Sequence, residues 1–410
     1  MRMTTTVKMI GNALAFLGTT ASLVWLANLV VLILHRKKEA WLARQPEDHP
    51  ESGWPSLAVM FAARNEEGDV ERATRSLLAQ DYPALEVIAV DDRSSDGTGA
   101  ILDAISDEDP RLRVVHVRDL PPGWLGKNHA LQSAAASTKA DWLLFTDADV
   151  VFSSGALRKS MAWAVAHGAD HVTVAPEVPT SGAGERLFMA MFGLMFLLYS
   201  PVWAVENRAL PAHLGIGAFN LVRASVFRAI GGLSRLALSV DDDMRLGQAL
   251  KFAGYSTRVL LGHGAVSVRW QVGLGGMIRG LEKNFFAGLN FSLVKVLAGA
   301  FGLLWLGAAP HLGLLVGPWW TRALCALGVG SLVLILGFVR PGWQNGVSWY
   351  YALALPVSAL LCVIALVRSA WLTLWRRGVR WRDHHYPLDA LRNHVRHRNA
   401  WARELWKSTR

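Results

Sequence analysis

Cysteine and charge are what this chain has least of. Its 410 residues include two cysteines, Cys325 and Cys362, each inside an apolar run and neither with a partner in a polar stretch. That excludes a disulfide framework and a cysteine metal site. Charged residues make up 18% and hydrophobic residues 52%, with a mean hydropathy of +0.26. Soluble proteins reach about 45–50% apolar by a similar count, so part of this chain belongs in a membrane. Acid is the scarcer sign, with 32 Asp and Glu against 42 Lys and Arg, a net charge of +10. A basic balance invites nucleic acid as a partner. Here, however, much of the surplus lies beside apolar segments and from residue 371 onward, which fits an anionic bilayer surface and no nucleic acid.

What is present begins with an uncharged run over residues 11–34, long enough to span a bilayer and without a small-residue cleavage site, so residues 1–40 are expected to be an anchor. His35-Arg36-Lys37-Lys38 follows and places the next segment in the cytoplasm by the positive-inside rule. Residues 41–56, polar with Pro50 and Pro55, are expected to be a linker, and residues 57–290 a catalytic domain. Inside it, 18 of the 19 residues from Leu187 to Val205 are apolar, Gly or Pro. The expectation is an interfacial element lying on the membrane, with a buried core helix as the alternative. Residues 291–370 hold two or three spans, near 294–316, 320–339 and 348–368, with turns at Gly317-Pro318 and Arg340-Pro341-Gly342. Three full spans would put the basic end outside, against the charge rule, so one is expected to be re-entrant or interfacial. Residues 371–410, rich in Trp and Arg, are expected to be an interfacial tail.

Between Leu57 and Val174 short apolar runs alternate with helical patterns: strands at 57–62, 85–90, 113–117, 142–145 and 171–174, helices at 69–80, 97–105, from 127, and at 156–166. Repeated β-α-β is a doubly wound, mostly parallel α/β sheet. Right-handed crossovers gather the strand ends on one edge, so Asn65, Asp91, Asp92, Lys127, Asp147 and Asp149 converge on one cleft. The run Trp142 to Phe145 breaks into Asp147-Ala148-Asp149, and two carboxylates at a strand's carboxyl end suit a Mg²⁺ or Mn²⁺ carrying a diphosphate. The same pattern also serves as a turn and helix cap.

Ala63-Arg64-Asn65-Glu66-Glu67, then Asp91-Asp92-Arg93-Ser94-Ser95-Asp96-Gly97-Thr98, Gly126-Lys127, and Asp147-Ala148-Asp149, in this order, resemble the inverting family 2 glycosyltransferases of GT-A fold. The similarity covers about Leu57 to Asn290. It implies a nucleotide-sugar donor, a divalent cation, and a position in the inner membrane of a bacterium with the catalytic domain cytoplasmic. It also assigns Asp149 as direct metal ligand, with Asp147 nearer the ribose or a metal-bound water.

On chemistry, Asp91 or Asp92 can accept hydrogen bonds from a uracil N–H or ribose hydroxyls, and groups around Ala63, Asn65 and Glu66 flank the same base. Lys127 offers a phosphate a point charge. Direct displacement needs a general base for the acceptor hydroxyl, and Asp241, Asp242 and Asp243 are the candidates. Aligning the family's acidic pair by Leu246 puts the base on Asp243, with Asp242 as runner-up; negative charge at a helix start is a structural alternative. Gly217 and Phe219, in Gly215-Ile216-Gly217-Ala218-Phe219-Asn220, are expected on the acceptor side, as is Trp270. Val266 stands where the processive synthases and ceramide glucosyltransferases carry Gln, which weighs against a processive polysaccharide synthase. Arg279 to Asn284, with Lys283, resembles a stretch of carotenoid-acid and hopene-associated glycosyltransferases, pointing to a membrane lipid acceptor with UDP as the donor's nucleotide. A catalytically silent, lipid-binding scaffold is the reading of another class. The sequence leaves oligomeric state, sugar and lipid unnamed.

Overall fold

The computed structural model describes residues 2–36, 39–51, 53–339 and 346–410. Lys37 and Lys38 of the basic cluster and the turn Arg340-Pro341-Gly342 lie outside the described residues. The chain forms two compact units: residues 39–178, 199–269 and 389–410 make one, and residues 1–38, 179–198 and 270–388 the other.

The first is an α/β unit. Its strands are β1 (Ala40–Trp41), β2 (Leu57–Ala63), β3 (Leu85–Asp92), β4 (Leu112–Val117), β5 (Trp142–Phe145), β6 (Val150–Phe152), β7 (His171–Ala175), β8 (Asn220–Arg223), β9 (Thr257–Leu261) and β10 (Val266–Val268). Eight form one sheet in the order β1-β9-β7-β8-β5-β2-β3-β4, while β10 pairs antiparallel with β6. Every pairing in the large sheet is parallel except those of β8, which runs antiparallel to both β5 and β7. The apolar runs become central strands because helices cover both faces: Val59, Phe61, Val87 and Leu144 point into one core, Met60, Ile88, Leu143 and Phe145 into another.

Three differences from the sequence reading bear on the site. First, β3 runs two residues beyond the 85–90 read from the sequence, so that Asp91 and Asp92, expected at its end, pair in register with His116 and Val117. Second, residues 41–56 do not begin as a linker: Ala40–Trp41 adds an edge strand beside Leu260–Leu261, and Leu42 is fully buried. Third, the tail from Leu388 to Ser408 is one helix, preceded by a hairpin of Gly378–Trp381 with His384–Pro387. Its Leu391, Val395, Arg398 and Ala402 are buried, a spacing of four, three and four that keeps one helix face against the α/β unit. Trp406 packs on Phe252 at 4.8 Å and Trp401 leans on the core of the α/β unit, so these two tryptophans take part in packing.

The other unit is built of apolar helices. Five segments are long and apolar enough to cross a membrane: Thr6–His35, Ala183–Glu206, Leu293–Gly313, Trp319–Phe338 and Leu355–Trp375. Small residues let them cross closely: a Cβ on Gly313 would lie 2.5 Å from Cys325 Sγ, and one on Gly307 2.5 Å from the Ala359 methyl. Two indoles satisfy carbonyls across helices, Trp25 on Leu306 at 2.8 Å and Trp305 on Leu17 at 3.1 Å. Outward-facing Leu34, Val294, Leu315 and Trp319 are exposed, an apolar surface made for lipid. The apolar segment expected as an interfacial element or a buried core helix forms the helix Ala183–Tyr199, with Phe188, Ala190, Met191 and Leu194 buried. Trp270 stacks on its Phe192 at 5.0 Å, and Lys283 Nζ sits 3.6 Å over the ring of Trp381. Both residues belong to this unit.

Candidate active site

The strand ends of the α/β unit carry two acid groups with different surroundings. After β2 the chain turns through Asn65, whose φ of 55° is in the left-handed region, where Asn is among the better tolerated residues. The loop that follows is laced to the one after β3: Asn65 N–H donates to Ser94 Oγ at 3.1 Å, Ser95 N–H to Asn65 Oδ1 at 2.8 Å, and Glu66 N–H to Thr98 Oγ1 at 2.8 Å. Ala63, fully buried, ends β2 in register with Asp91. Asp91 accepts from Ser94 N–H at 3.2 Å and pairs with His116 Nδ1 at 3.0 Å, while His116 Nε2 reaches Asp103 at 2.9 Å. Hydrogen bonds to Asp91 and then Asp103 raise the His116 pKa. Asp92 is gripped by its neighbour Arg93 at 2.8 and 3.0 Å. Gly126, at the start of the next helix, approaches so closely that a Cβ there would lie 2.1 Å from Asp92 Oδ2.

The second group surrounds Gly217. Asp147 and Asp149 lie in the connection between β5 and β6, tied down where Thr146 Oγ1 donates to Ala218 O at 2.8 Å. Lys127 Nζ, in the first turn of the helix Gly126–Ala136, donates to Asp147 Oδ1 at 2.6 Å and lies 3.8 Å from Asp242 Oδ2. Burial opposes a charged lysine there, but Asp147, Asp242 and Asp243 together outweigh it and raise its pKa. Asp149 is pushed up to about 7, first by burial and then by Asp147 and Glu66, which brings the motif after β2 into the electrostatics of this group.

The acidic triplet divides into three roles. Asp241 binds Arg245 at 2.8 Å and Arg398 at 3.4 Å; burial alone would raise its pKa, and the two guanidiniums hold it below the usual carboxylate range. Asp242, first residue of the helix Asp242–Phe252, faces Lys127. Asp243 turns to Gly217, whose N–H donates to its Oδ2 at 2.7 Å, and its carboxyl is raised chiefly by burial. A Cβ on Gly217 would lie 2.6 Å from Asp147 Oδ2 and 3.3 Å from Asp243 Oδ2, so both carboxylates flank this one glycine. Lys127, Thr146, Gly217, Asn220, Asp242 and Asp243 line a small cleft. Phe219 does not: it is fully buried, its ring 6.0 Å from Phe152, and offers no surface to an acceptor, contrary to the sequence expectation. Its place is fixed by the approach to β8, which turns it into the core.

Sequence reasoning missed His116, whose only sequence signal is a histidine in a strand beside the Asp91 position, and Arg398, 155 residues beyond Asp243. His171, read as an ordinary residue, is fully buried with Nε2 3.1 Å from Asn220 Oδ1, and burial lowers its pKa to about 4. The acids after β5 fit a hard divalent cation: Asp149 is partly buried and repelled by Asp147, Glu66 and Asp69, and a cation there would relieve the repulsion. Among the described residues no three His, Cys, Asp or Glu side chains form a ready cage, but Mg²⁺ and Mn²⁺ take much of their shell from phosphate and water.

A mostly parallel sheet covered by helices, with acids at the strand ends, is an open α/β fold that binds ligands beyond the carboxyl ends of its strands. Residues 58–231 match the family model described as Glycosyl transferase family 2, and the chain carries a domain of that family. It is 27% identical over 242 residues to a 4,4'-diaponeurosporenoate glycosyltransferase of Staphylococcus haemolyticus, covering 57% of this chain and 62% of that protein. Over 108 residues it is 37% identical to a beta-monoglucosyldiacylglycerol synthase of Synechocystis sp., covering 26% of this chain and 22% of the relative. The chain thus spans less than two thirds of either relative's length. Among solved structures, a mannosyltransferase of Pyrobaculum calidifontis in complex with GDP-Man and Mn²⁺ shares the fold, with a TM-score of 0.52 and 16% identity over 87% of this chain and 99% of that one.

Proposed function

We propose that this protein transfers a sugar, with inversion, from a nucleotide-sugar to a hydroxyl or carboxyl group of a membrane lipid at the cytoplasmic face. The observation that carries this reading is the pair of carboxylates on either side of Gly217, one paired with Lys127 and the other, Asp243, partly buried with its pKa raised by desolvation. A transferase working by direct displacement needs this division: one set of groups for the leaving diphosphate, another for the entering oxygen. Asp243 takes the proton from the acceptor hydroxyl, held in place by the Gly217 N–H. Lys127 neutralises phosphate charge, and exchanges its hold on Asp147 for a diphosphate oxygen. Asp149 and Asp147 would hold a Mg²⁺ or Mn²⁺, which when bound acts as a Lewis acid toward the leaving nucleoside diphosphate. Asn65, Glu66, Asp91 and Asp92 shape the nucleoside side, with UDP as the nucleotide expected from the sequence resemblance.

The five apolar helices and the relatives named for glycolipid and carotenoid-acid chemistry support a lipid acceptor. The test is to incubate membranes containing the full chain with a panel of labelled nucleotide-sugars and to identify the labelled lipid by mass spectrometry. One nucleotide-sugar should label one lipid class. If no nucleotide-sugar is bound or consumed with either cation, the chain is a silent lipid-binding scaffold instead.

A further inference from the structure

The helix Leu388–Ser408 lies far from every motif in the sequence, yet it ends beside the acidic triplet. Arg398 is the one charged residue in its buried stripe, with 2% of its side chain exposed. Its NH1 donates to Asp241 Oδ1 at 3.4 Å and to Ser239 Oγ at 3.2 Å. One turn earlier, His394 Nε2 meets the same Ser239 Oγ at 3.1 Å, in a setting where burial lowers its pKa to about 4 and leaves it neutral. The opposite side of this segment is held by the helix that bears Lys127. Asn128 Nδ2 donates to Leu236 O at 2.8 Å, Ala237 O at 3.3 Å and Ser239 O at 3.0 Å, and Leu125 N–H donates to Ala237 O at 2.9 Å. Residues 236–241 are thus clamped between the Lys127 helix and the tail helix, immediately before Asp242 and Asp243.

A buried arginine is costly unless its charge is met, and a largely desolvated Asp241 needs a counter-charge in turn. Each meets the other, with Arg245 as the second guanidinium. Thr409 Oγ1 donates to Phe252 O at 3.1 Å, and Trp406 packs on the Phe252 ring, so the tail holds the far end of the base helix as well. We propose that the tail helix is a positioning element of the active site, and that Arg398, by neutralising Asp241 and fixing residues 239–241, sets the orientation in which Asp243 receives the Gly217 N–H. Asp241 is then the structural member of the triplet and Asp243 the chemical one. The assignment rests on the transferase reading for its consequence, but its geometry can be tested without any transfer.

The experiment is amide hydrogen exchange on the purified full chain, comparing wild type with Arg398→Ala and Arg398→Lys, followed peptide by peptide over residues 214–221, 239–246 and 142–146. In Arg398→Ala, exchange of the Gly217 and Met244 amides, which donate to the two Asp243 oxygens, should rise by about tenfold or more, the scale of losing a hydrogen bond to a charged group. Peptide 142–146 should be unchanged. Arg398→Lys keeps the charge and should fall between the two. Where transfer is measurable, Arg398→Ala should lower kcat with the donor KM within about twofold, since it weakens a group used after donor binding. The second change Asp241→Asn in the Arg398→Ala background should deepen the loss, because it leaves the buried Arg245 without the carboxylate it holds at 2.8 Å. Unchanged Gly217 and Met244 exchange in Arg398→Ala overturns the assignment. So does a loss of protection shared equally by 142–146, which would make the tail a general brace. Failure of the transferase reading leaves the exchange result intact and is seen separately, as a wild type that binds or consumes no donor.

Discussion

The two acid groups at the strand ends are alike in sequence and opposite in chemistry. Asp91 and Asp92 sit in β3 with their oxygens already taken by Ser94, His116 and Arg93. Asp149 and Asp243 are partly buried with too little positive charge about them, and desolvation raises the pKa of both above the ordinary carboxylate range. A saturated acid pair shapes a loop and presents a surface. An under-neutralised one is a place where a cation or a proton is wanted, and such perturbed groups mark sites of chemistry.

Four measurements can break or sharpen that contrast. The largest effect is expected of Asp243→Asn, which should lower transfer by about 10²–10⁴-fold, the usual contribution of a general base, with donor affinity by calorimetry unchanged. Near-normal transfer would move the base to Asp242. Asp149→Ala should weaken Mn²⁺-dependent donor binding on the order of 10- to 100-fold while leaving metal-free binding alone. Equal UDP affinity with and without metal in both wild type and variant would remove Asp149 as a ligand. On the saturated side, Gly126→Ala forces a methyl onto Asp92 Oδ2 and should destabilise by about 1–3 kcal/mol, read as a lower thermal midpoint. An unchanged midpoint would show that the Asp92 pocket is loose and available. The smallest effect concerns the platform under both groups. His171 is held neutral with a pKa of about 4, against about 6.5 unfolded, so below pH 6.5 the unfolded chain binds the extra proton. Stability should fall as pH drops, by about 2 kcal/mol between pH 6.5 and 5 for this one group. His171→Gln should flatten that slope, as seen in thermal midpoints across the range.

Much of this was legible in sequence because parallel strands buried on both faces are continuous apolar runs, and β2, β3 and β5 announce themselves that way. The acids after β5 and the triplet before Leu246 were legible for the same reason, since strand and helix boundaries place them. β8 and β9 were not read: Asn220–Arg223 is four residues long, and Thr257–Leu261 is a five-residue run opened by Thr257 and Arg258. The tail was misread because Trp and Arg are the residues of a membrane interface as well as of a packed, ion-paired helix. Only the partners, Phe252 and Asp241, distinguish the two, and no local pattern names them. Lys127 was expected to face a phosphate; its contact with Asp147 follows from the cleft being acidic on the other side as well.

The placing of β8 has a consequence for how the protein is made. The chain leaves the sheet after β7, runs through the apolar helix Ala183–Tyr199, and returns to slot β8 between β5 and β7. β5 and β7, which precede that helix in the chain, therefore wait for a shared partner that emerges from the ribosome much later. β1 waits longer still, for Leu260 and Leu261. Long-range pairing of this kind is slow and leaves open edges while it lasts. Until residues 220–223 emerge, β5 and β7 lack the strand between them, and Gly217, whose N–H holds Asp243, has no β8 behind it to fix its place.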